Sequence, residues 1–175
     1  AYGGLNFFTF SSDGKVLAEK VKISLENKII LDENMIAFYT NSVRSTRSIL
    51  SEQNKNLIKN KSLKKELSEM TKLSFHLRKE LESGNIDAMG EILNESWGRK
   101  KKLATSISNP SVNVIYQNAM KNGALGGKLL GAGGSGFLLF YAKKENHEKL
   151  RKALNNLDEL HFNMENSGSV VIYNQ

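Results

Sequence analysis

The sequence predicts an α+β fold, on three observations. Aromatic and β-branched alternation is confined to the first forty residues. Apolar residues at three- and four-residue steps then run from Ser42 to Met120. Finally a glycine-rich stretch, Gly123 to Gly136, opens into a short apolar run and a closing helix and strands. Strands and helices that segregate in blocks in this way specify α+β rather than alternating α/β architecture.

Each element has its own signal. Leu5 to Phe10 is rich in the aromatics that strands favour, Ser12-Asp13-Gly14 is a turn, and Val16-Leu17 restarts the pattern. Val21, Ile23 and Leu25 alternate with polar neighbours, which predicts a half-buried strand, and Ile36-Ala37-Phe38-Tyr39 predicts a buried one. A helix is expected over Ser42 to Gln53, with Thr46, Ile49 and Leu50 facing inward. Leu67, Met70, Leu73, Leu77 and Leu81 mark one face of a second helix, which Ser83-Gly84-Asn85 stops. Asn85 can cap the next, lined by Ile86, Met89, Leu93 and Trp97, the last a core residue. After the break at Ser108-Asn109-Pro110, Ser111 can cap a helix carrying Val112, Ile115, Tyr116, Ala119 and Met120. Phe137 to Ala142 predicts a strand, Glu145 to Leu157 a helix, and Leu160 to Phe162 and Ser169 to Tyr173 two closing strands.

At 175 residues the chain can build a core without staples. It has no cysteine, which excludes disulfides and thiolate metal sites. His76, His147 and His161 have no partners at ligand spacing, so no metal site is expected. The apolar runs are too short to span a bilayer and no signal peptide is visible. The net charge of +7 suits an anionic partner, although Lys55, Lys59, Lys61, Lys64, Lys65 and Arg99 to Lys102 read equally as solvated helix faces. The opening Ala1-Tyr2-Gly3-Gly4-Leu5-Asn6 reads as a start in mid-domain, as a fragment would.

Seven of the fourteen residues from Gly123 to Gly136 are glycine. Such a segment lets ligands approach the backbone and can point successive N–H groups at an anion. A strand follows it rather than a helix, and it lacks a Gly-Lys-Ser/Thr ending, so it is neither a dinucleotide fingerprint nor a P-loop. Without further information it could also be a tight turn between a helix and a buried strand.

The string Gly126-Gly127-Lys128-Leu129-Leu130-Gly131-Ala132-Gly133-Gly134-Ser135-Gly136-Phe137 closely resembles the third conserved motif of the GHMP kinases. Within that family the pattern from Gly123 to Phe137 is most similar to bacterial D-glycero-D-manno-heptose 7-phosphate kinases. Three further stretches resemble the same group: Ala1 to Asn6, Phe38 to Ser45 with Asn41 where glycine is commoner, and Trp97 to Lys101 with Ser106 to Asn109. The resemblance implies a GHMP kinase C-terminal domain, with helices packed on an antiparallel, ferredoxin-like sheet. It implies that residues 1–40 are strands from the end of an N-terminal lobe and that 41–175 form the C-terminal domain.

The implied activity is ATP-dependent phosphorylation of the anomeric hydroxyl of a heptose 7-phosphate in the cytoplasm. The family's phosphate loop is not found in this sequence. Its catalytic aspartate would lie upstream of Ala1, leaving no catalytic residue here and most of the ATP and Mg²⁺ contacts in a missing N-terminal lobe, so that this half alone is expected to be inactive. The implied phosphate and substrate loop is Lys128, Gly131, Ala132, Gly133, Gly134, Ser135 and Gly136, whose amides would face the transferring phosphoryl group. Arg44, Lys100 and Lys101 are candidates for the phosphosugar. Ser135 has no paired base, and Asp13, Asp32, Asp87 and Asp158 lie outside the family's catalytic context. Two other readings compete: another GHMP kinase, galactokinase-like, or a basic module binding RNA or protein. The basic runs lack interleaved aromatics, so nucleic acid is disfavoured.

Overall fold

The computed structural model describes residues 2–41 and 46–173. The chain opens with a hairpin, β1 (Asn6–Phe10) paired antiparallel with β2 (Val16–Lys20) in the register Phe8↔Ala18. Its turn closes where the Gly14 N–H donates to the Ser11 carbonyl at 3.0 Å, with Gly14 at φ 84°. The strand expected through Val21, Ile23 and Leu25 is instead the approach to a helix, α1 (Leu25–Glu33). The Ser24 hydroxyl accepts the Asn27 N–H at 3.1 Å and caps it, and no Gly or Pro interrupts the helix.

β3 (Met35–Tyr39) comes next, then four helices: α2 (Thr46–Lys59), α3 (Lys61–Glu82), α4 (Ala88–Lys101) and α5 (Pro110–Lys121). β4 (Ala124–Leu129), β5 (Phe137–Ala142), α6 (His147–Ala153) and the two-residue β6 (Glu159–Leu160) complete the order. The sheet runs β4–β5–β3–β6, antiparallel throughout. Counted along the chain from β3, its order read from the β6 edge is fourth, first, third, second, which is the ferredoxin-like arrangement expected.

Several boundaries differ from the expectation. β3 lies in the middle of this sheet, so a division at residue 40 would cut it; only the β1–β2 hairpin forms a separate sheet. Asn109, not Ser111, caps α5: its side chain accepts the Val112 N–H at 2.9 Å and Pro110 takes the first helical position. Asn85 donates to Glu80 at 2.7 Å rather than capping α4. α6 ends at Ala153, short of Leu157. Ser169 to Tyr173 pairs with no strand among the described residues, and Ile172 is 92% exposed. In α2, Ile49 is buried as expected but Leu50 is 45% exposed.

β5 divides the interior by its two-residue period. Leu138, Phe140 and Ala142 join the main core with Phe38, Trp97 and Tyr116, whereas Tyr141 faces a second cluster with Val21, Leu31 and Met89. Burying each large apolar side chain contributes roughly 1.5–3 kcal/mol. The hairpin is held to α3 by Arg78, which reaches Glu19 at 2.9 Å and Glu82 at 3.2 Å and lies over the Phe7 ring. Among the described residues no helix is long and apolar enough to cross a membrane.

α4 lies directly on β4. A methyl group at Gly126 would overlap the Gly90 carbonyl, and one at Gly90 would meet the Leu125 Cβ. Gly126→Ala should therefore destabilise the fold by about 2–3 kcal/mol through forced separation of helix and strand. Gly14→Ala, which meets nothing within 4 Å and bears only the cost of positive φ, should cost about 1–2 kcal/mol. Urea denaturation of the two variants checks the order, and equal losses would refute the packing argument.

Candidate functional site

The glycine segment forms the connection from β4 to β5, closed at its neck where the Leu130 N–H donates to the Phe137 carbonyl at 2.9 Å. Gly131, Gly133, Gly134 and Gly136 all have positive φ, from 74° to 115°, which side-chain-bearing residues adopt only under strain.

The inner part of the loop is fixed to the domain. The Gly134 N–H donates to the Ile107 carbonyl at 2.8 Å, and Asn109 Nδ2 donates to the Gly134 carbonyl at 3.1 Å. Gly136 donates its N–H to Thr40 Oγ1 at 3.2 Å and accepts the Thr40 N–H at 2.9 Å. Gly133 is buried against Ile107, where an added methyl would come within 2.8 Å of the carbonyl oxygen, and Ala132 packs on the core. This corrects the expectation that every amide from Gly131 to Gly136 faces a ligand: those of Gly134 and Gly136 are engaged internally. The amides of Gly131 and Ala132, on the outer part, have no hydrogen-bond partner among the described residues. Ser135 is half-buried between these two parts.

The last turn of α4 brings its basic residues to this loop, and they divide by partner. Arg99 pairs with Glu66 at 3.0 Å and Glu95 at 2.8 Å, and Lys102 pairs with Glu66 at 3.1 Å. Lys101 lies over the rings of Trp97 and Tyr116, 5.8 and 5.9 Å from their centroids. Lys100 turns to the loop and donates to the Gly131 carbonyl at 2.6 Å. Burial pushes its ammonium down to about 8, and the nearby charge of Lys128 adds to the shift. Lys128, half-buried on β4, is likewise held below the usual lysine range by burial.

The structure thus gathers Lys100, Lys128 and the outer loop at one place, whereas Lys101 packs on an aromatic pair. Arg44 lies outside the described residues. With Arg99 and Lys102 matched by carboxylates, the basic run is not the continuous patch that the nucleic-acid reading needs. His147 is buried against the Ala142 carbonyl at 3.1 Å.

Sequence reasoning missed the anchors Thr40, Ile107 and Glu52. Glu52 of α2 accepts the Thr105 N–H and hydroxyl, both at 2.8 Å, and the Ser106 N–H and hydroxyl, fixing the 3-10 turn Thr105–Ile107 whose last carbonyl holds Gly134. Its only signal in the sequence would have been the Thr-Ser pair, and nothing local connects that pair to a glutamate over fifty residues away.

Residues 77–161 match the family model described as GHMP kinases C terminal. A D-glycero-alpha-D-manno-heptose 7-phosphate kinase of Campylobacter jejuni is 28% identical over 153 residues, which cover 87% of this chain and 45% of that protein. An L-fucokinase/L-fucose-1-P guanylyltransferase of Bacteroides fragilis is 31% identical over 109 residues, 62% of this chain and 11% of that protein. The chain therefore spans less than half the length of either relative. Among solved structures, a D-glycero-D-manno-heptose 1-phosphate kinase from Bacteroides thetaiotaomicron superposes with a TM-score of 0.68 at 20% identity, covering 96% of this chain and 44% of that one. L. major mevalonate kinase superposes at 0.73 and 20% identity, covering 89% and 45%.

Hydrogen bonds from the Ser106 hydroxyl, then the Thr105 hydroxyl and amide, hold the Glu52 carboxyl below its ordinary range. A carboxylate depressed in the folded state stabilises above its unfolded pKa, and that contribution is lost as pH falls through the folded value. Glu52→Gln should accordingly flatten the fall of melting temperature on acidification below about pH 4. Superimposable melting-temperature profiles for variant and parent would show that Glu52 does not fix the turn.

Proposed function

We propose, from the match of residues 77–161 to the GHMP kinase C-terminal family model, that the chain is the C-terminal half of an ATP-dependent sugar kinase whose acceptor is the anomeric hydroxyl of a heptose 7-phosphate. One observation carries the reading. Among the described residues, two half-buried lysines without carboxylate partners stand beside a glycine loop whose outer amides have no internal partner. Phosphoryl transfer depends on positioning and on stabilising negative charge, and fixed N–H groups do this without reorganising.

In this reading the outer loop, from Lys128 through Gly131 and Ala132, faces the reacting phosphoryl group and the sugar, while Gly133 packs behind it on Ile107. Gly134 and Gly136 hold it in place, Ser135 joins the two parts, and Arg44 and Lys100 remain the substrate-side cations, Lys101 being taken up by the Trp97 and Tyr116 rings. Two lysines disfavour a bare cation, so Mg²⁺ would be bound mainly by a preceding half, to which the family resemblance also assigns most of the ATP contacts and the catalytic aspartate. That half would be this chain's partner, and the reaction a cytoplasmic one on a soluble phosphosugar.

The β1–β2 hairpin is assigned to that preceding lobe, and the sheet from β3 onward to this one. Support comes from the hairpin's outer face, where Phe8, Phe10 and Val16 lie together by register and Phe10 is 76% and Val16 56% exposed, an apolar surface of the kind another layer covers. The similarity to a fucokinase supports a second reading, in which the sugar carries no phosphate.

The longer protein read from this coding frame should consume ATP in the presence of heptose 7-phosphate and not of fucose or galactose. The 175-residue chain alone should show no turnover. A coupled ATPase assay with the three sugars decides: equal rates with all of them would remove the heptose assignment, and no consumption with any would remove the kinase.

A further inference from the structure

The cations around the glycine loop separate into matched and unmatched. Arg99 and Lys102 have their carboxylates, Glu66 and Glu95. Lys100 and Lys128 have no carboxylate among the described residues, and the one described hydrogen bond of the pair runs from Lys100 to the Gly131 carbonyl at 2.6 Å. Each side chain is half-buried, one on the last turn of α4 and one on β4. Two like charges placed together and partly withdrawn from water destabilise the free protein unless an anion joins them. The lowered basicity of both ammonium groups is consistent with that cost.

The Gly131 carbonyl is a neutral acceptor and balances none of this charge. It belongs to the exposed residue at the start of the outer loop, and the amides of Gly131 and Ala132 beside it lack partners among the described residues. We propose that Lys100 and Lys128 form a two-cation seat for one phosphomonoester dianion, and that Lys100 exchanges the Gly131 carbonyl for a phosphate oxygen when the dianion binds. Two positive charges match the two negative charges of a phosphomonoester, and ammonium groups meet tetrahedral oxygens as point charges without needing planar geometry. The seat is compact, unlike the extended row of free cations that a nucleic-acid backbone requires. Release of the Gly131 carbonyl also frees the outer loop from α4, which couples occupancy of the seat to loop position.

The proposal names the ligand of the site on which the kinase reading rests, yet its test needs no phosphoryl transfer. Calorimetric titration of this chain with inorganic phosphate and with mannose 6-phosphate should show binding, and mannose should show none. Lys100→Met and Lys128→Met should each weaken phosphate binding by about tenfold or more. Both should also raise the melting temperature of the phosphate-free chain, an effect opposite to that of losing a structural contact. Lys121→Met, at the far end of α5, should change neither. Competition by magnesium-free ATP against mannose 6-phosphate would assign the seat to the nucleotide's terminal phosphate, and its absence to the sugar's; both support the seat. Phosphate that binds the two methionine variants as well as the parent, or fails to bind the parent at tens of millimolar, would overturn it. If phosphate binds at the seat while the longer protein consumes no ATP, the kinase reading fails and the seat stands.

Discussion

The site depends on how closely α4 approaches β4. Gly90 on the helix and Gly126 on the strand meet backbone to backbone, with no room for a methyl on either. That contact sets the path of α4 along β4, and ten residues further on, the last turn of α4 arrives at the β4–β5 loop. Lys100 reaches the Gly131 carbonyl because the helix is this close. From the same turn Arg99 and Lys102 reach α3, and Lys101 lies against Trp97 and Tyr116. One glycine pair thus gives four consecutive basic residues three different environments.

The glycine loop has a comparable division of labour. Its four positive-φ glycines permit a path that turns back on itself, but permission alone would leave it loose. The restraint comes from elsewhere in the sequence: Thr40 at the end of β3, and Ile107 and Asn109 before α5. Glu52 in turn fixes the Thr105–Ile107 turn from α2. Elements far apart in the chain therefore meet behind the loop and leave its front to Gly131 and Ala132. A loop held this way would need little ordering on binding the proposed ligand.

The order of the elements was legible because hydrophobic period and turn chemistry are local. The helix face at Leu67 to Leu81, the buried Trp97 and the apolar β5 all follow from spacing. Pairing was not legible from periodicity, since placing β3 between β5 and β6 is a long-range event, and only the family resemblance anticipated a ferredoxin-like sheet. Two local misreadings have physical causes. Val21 to Leu25 alternates like a strand, but the Ser24 cap redirects the chain into α1. Ser169 to Tyr173 has strand-like composition, yet no partner strand is available among the described residues. Asn41, where glycine is commoner in the resembling kinases, is the one described non-glycine residue at positive φ, 50°, and Asn is among the few residue types that tolerate it. At the site, the glycines and basic residues were visible in the sequence. Which cations would be matched was not, because Glu66 and Glu95 acquire that role only once α3 and α4 pack together.

Net charge alone is therefore a poor guide to the proposed anion seat. The excess of +7 is spread over exposed lysines on α2 and α3 that water solvates at little cost. Arg78, Arg99, Arg151 and Lys102 are held by carboxylates and contribute local stability rather than attraction for a ligand. What distinguishes Lys100 and Lys128 is partial burial without a carboxylate among the described residues, beside backbone donors that also lack partners there. A fold that maximised its own stability would place a carboxylate or an apolar side chain there. Two cations there fit the proposed phosphate, whose charge would complete theirs.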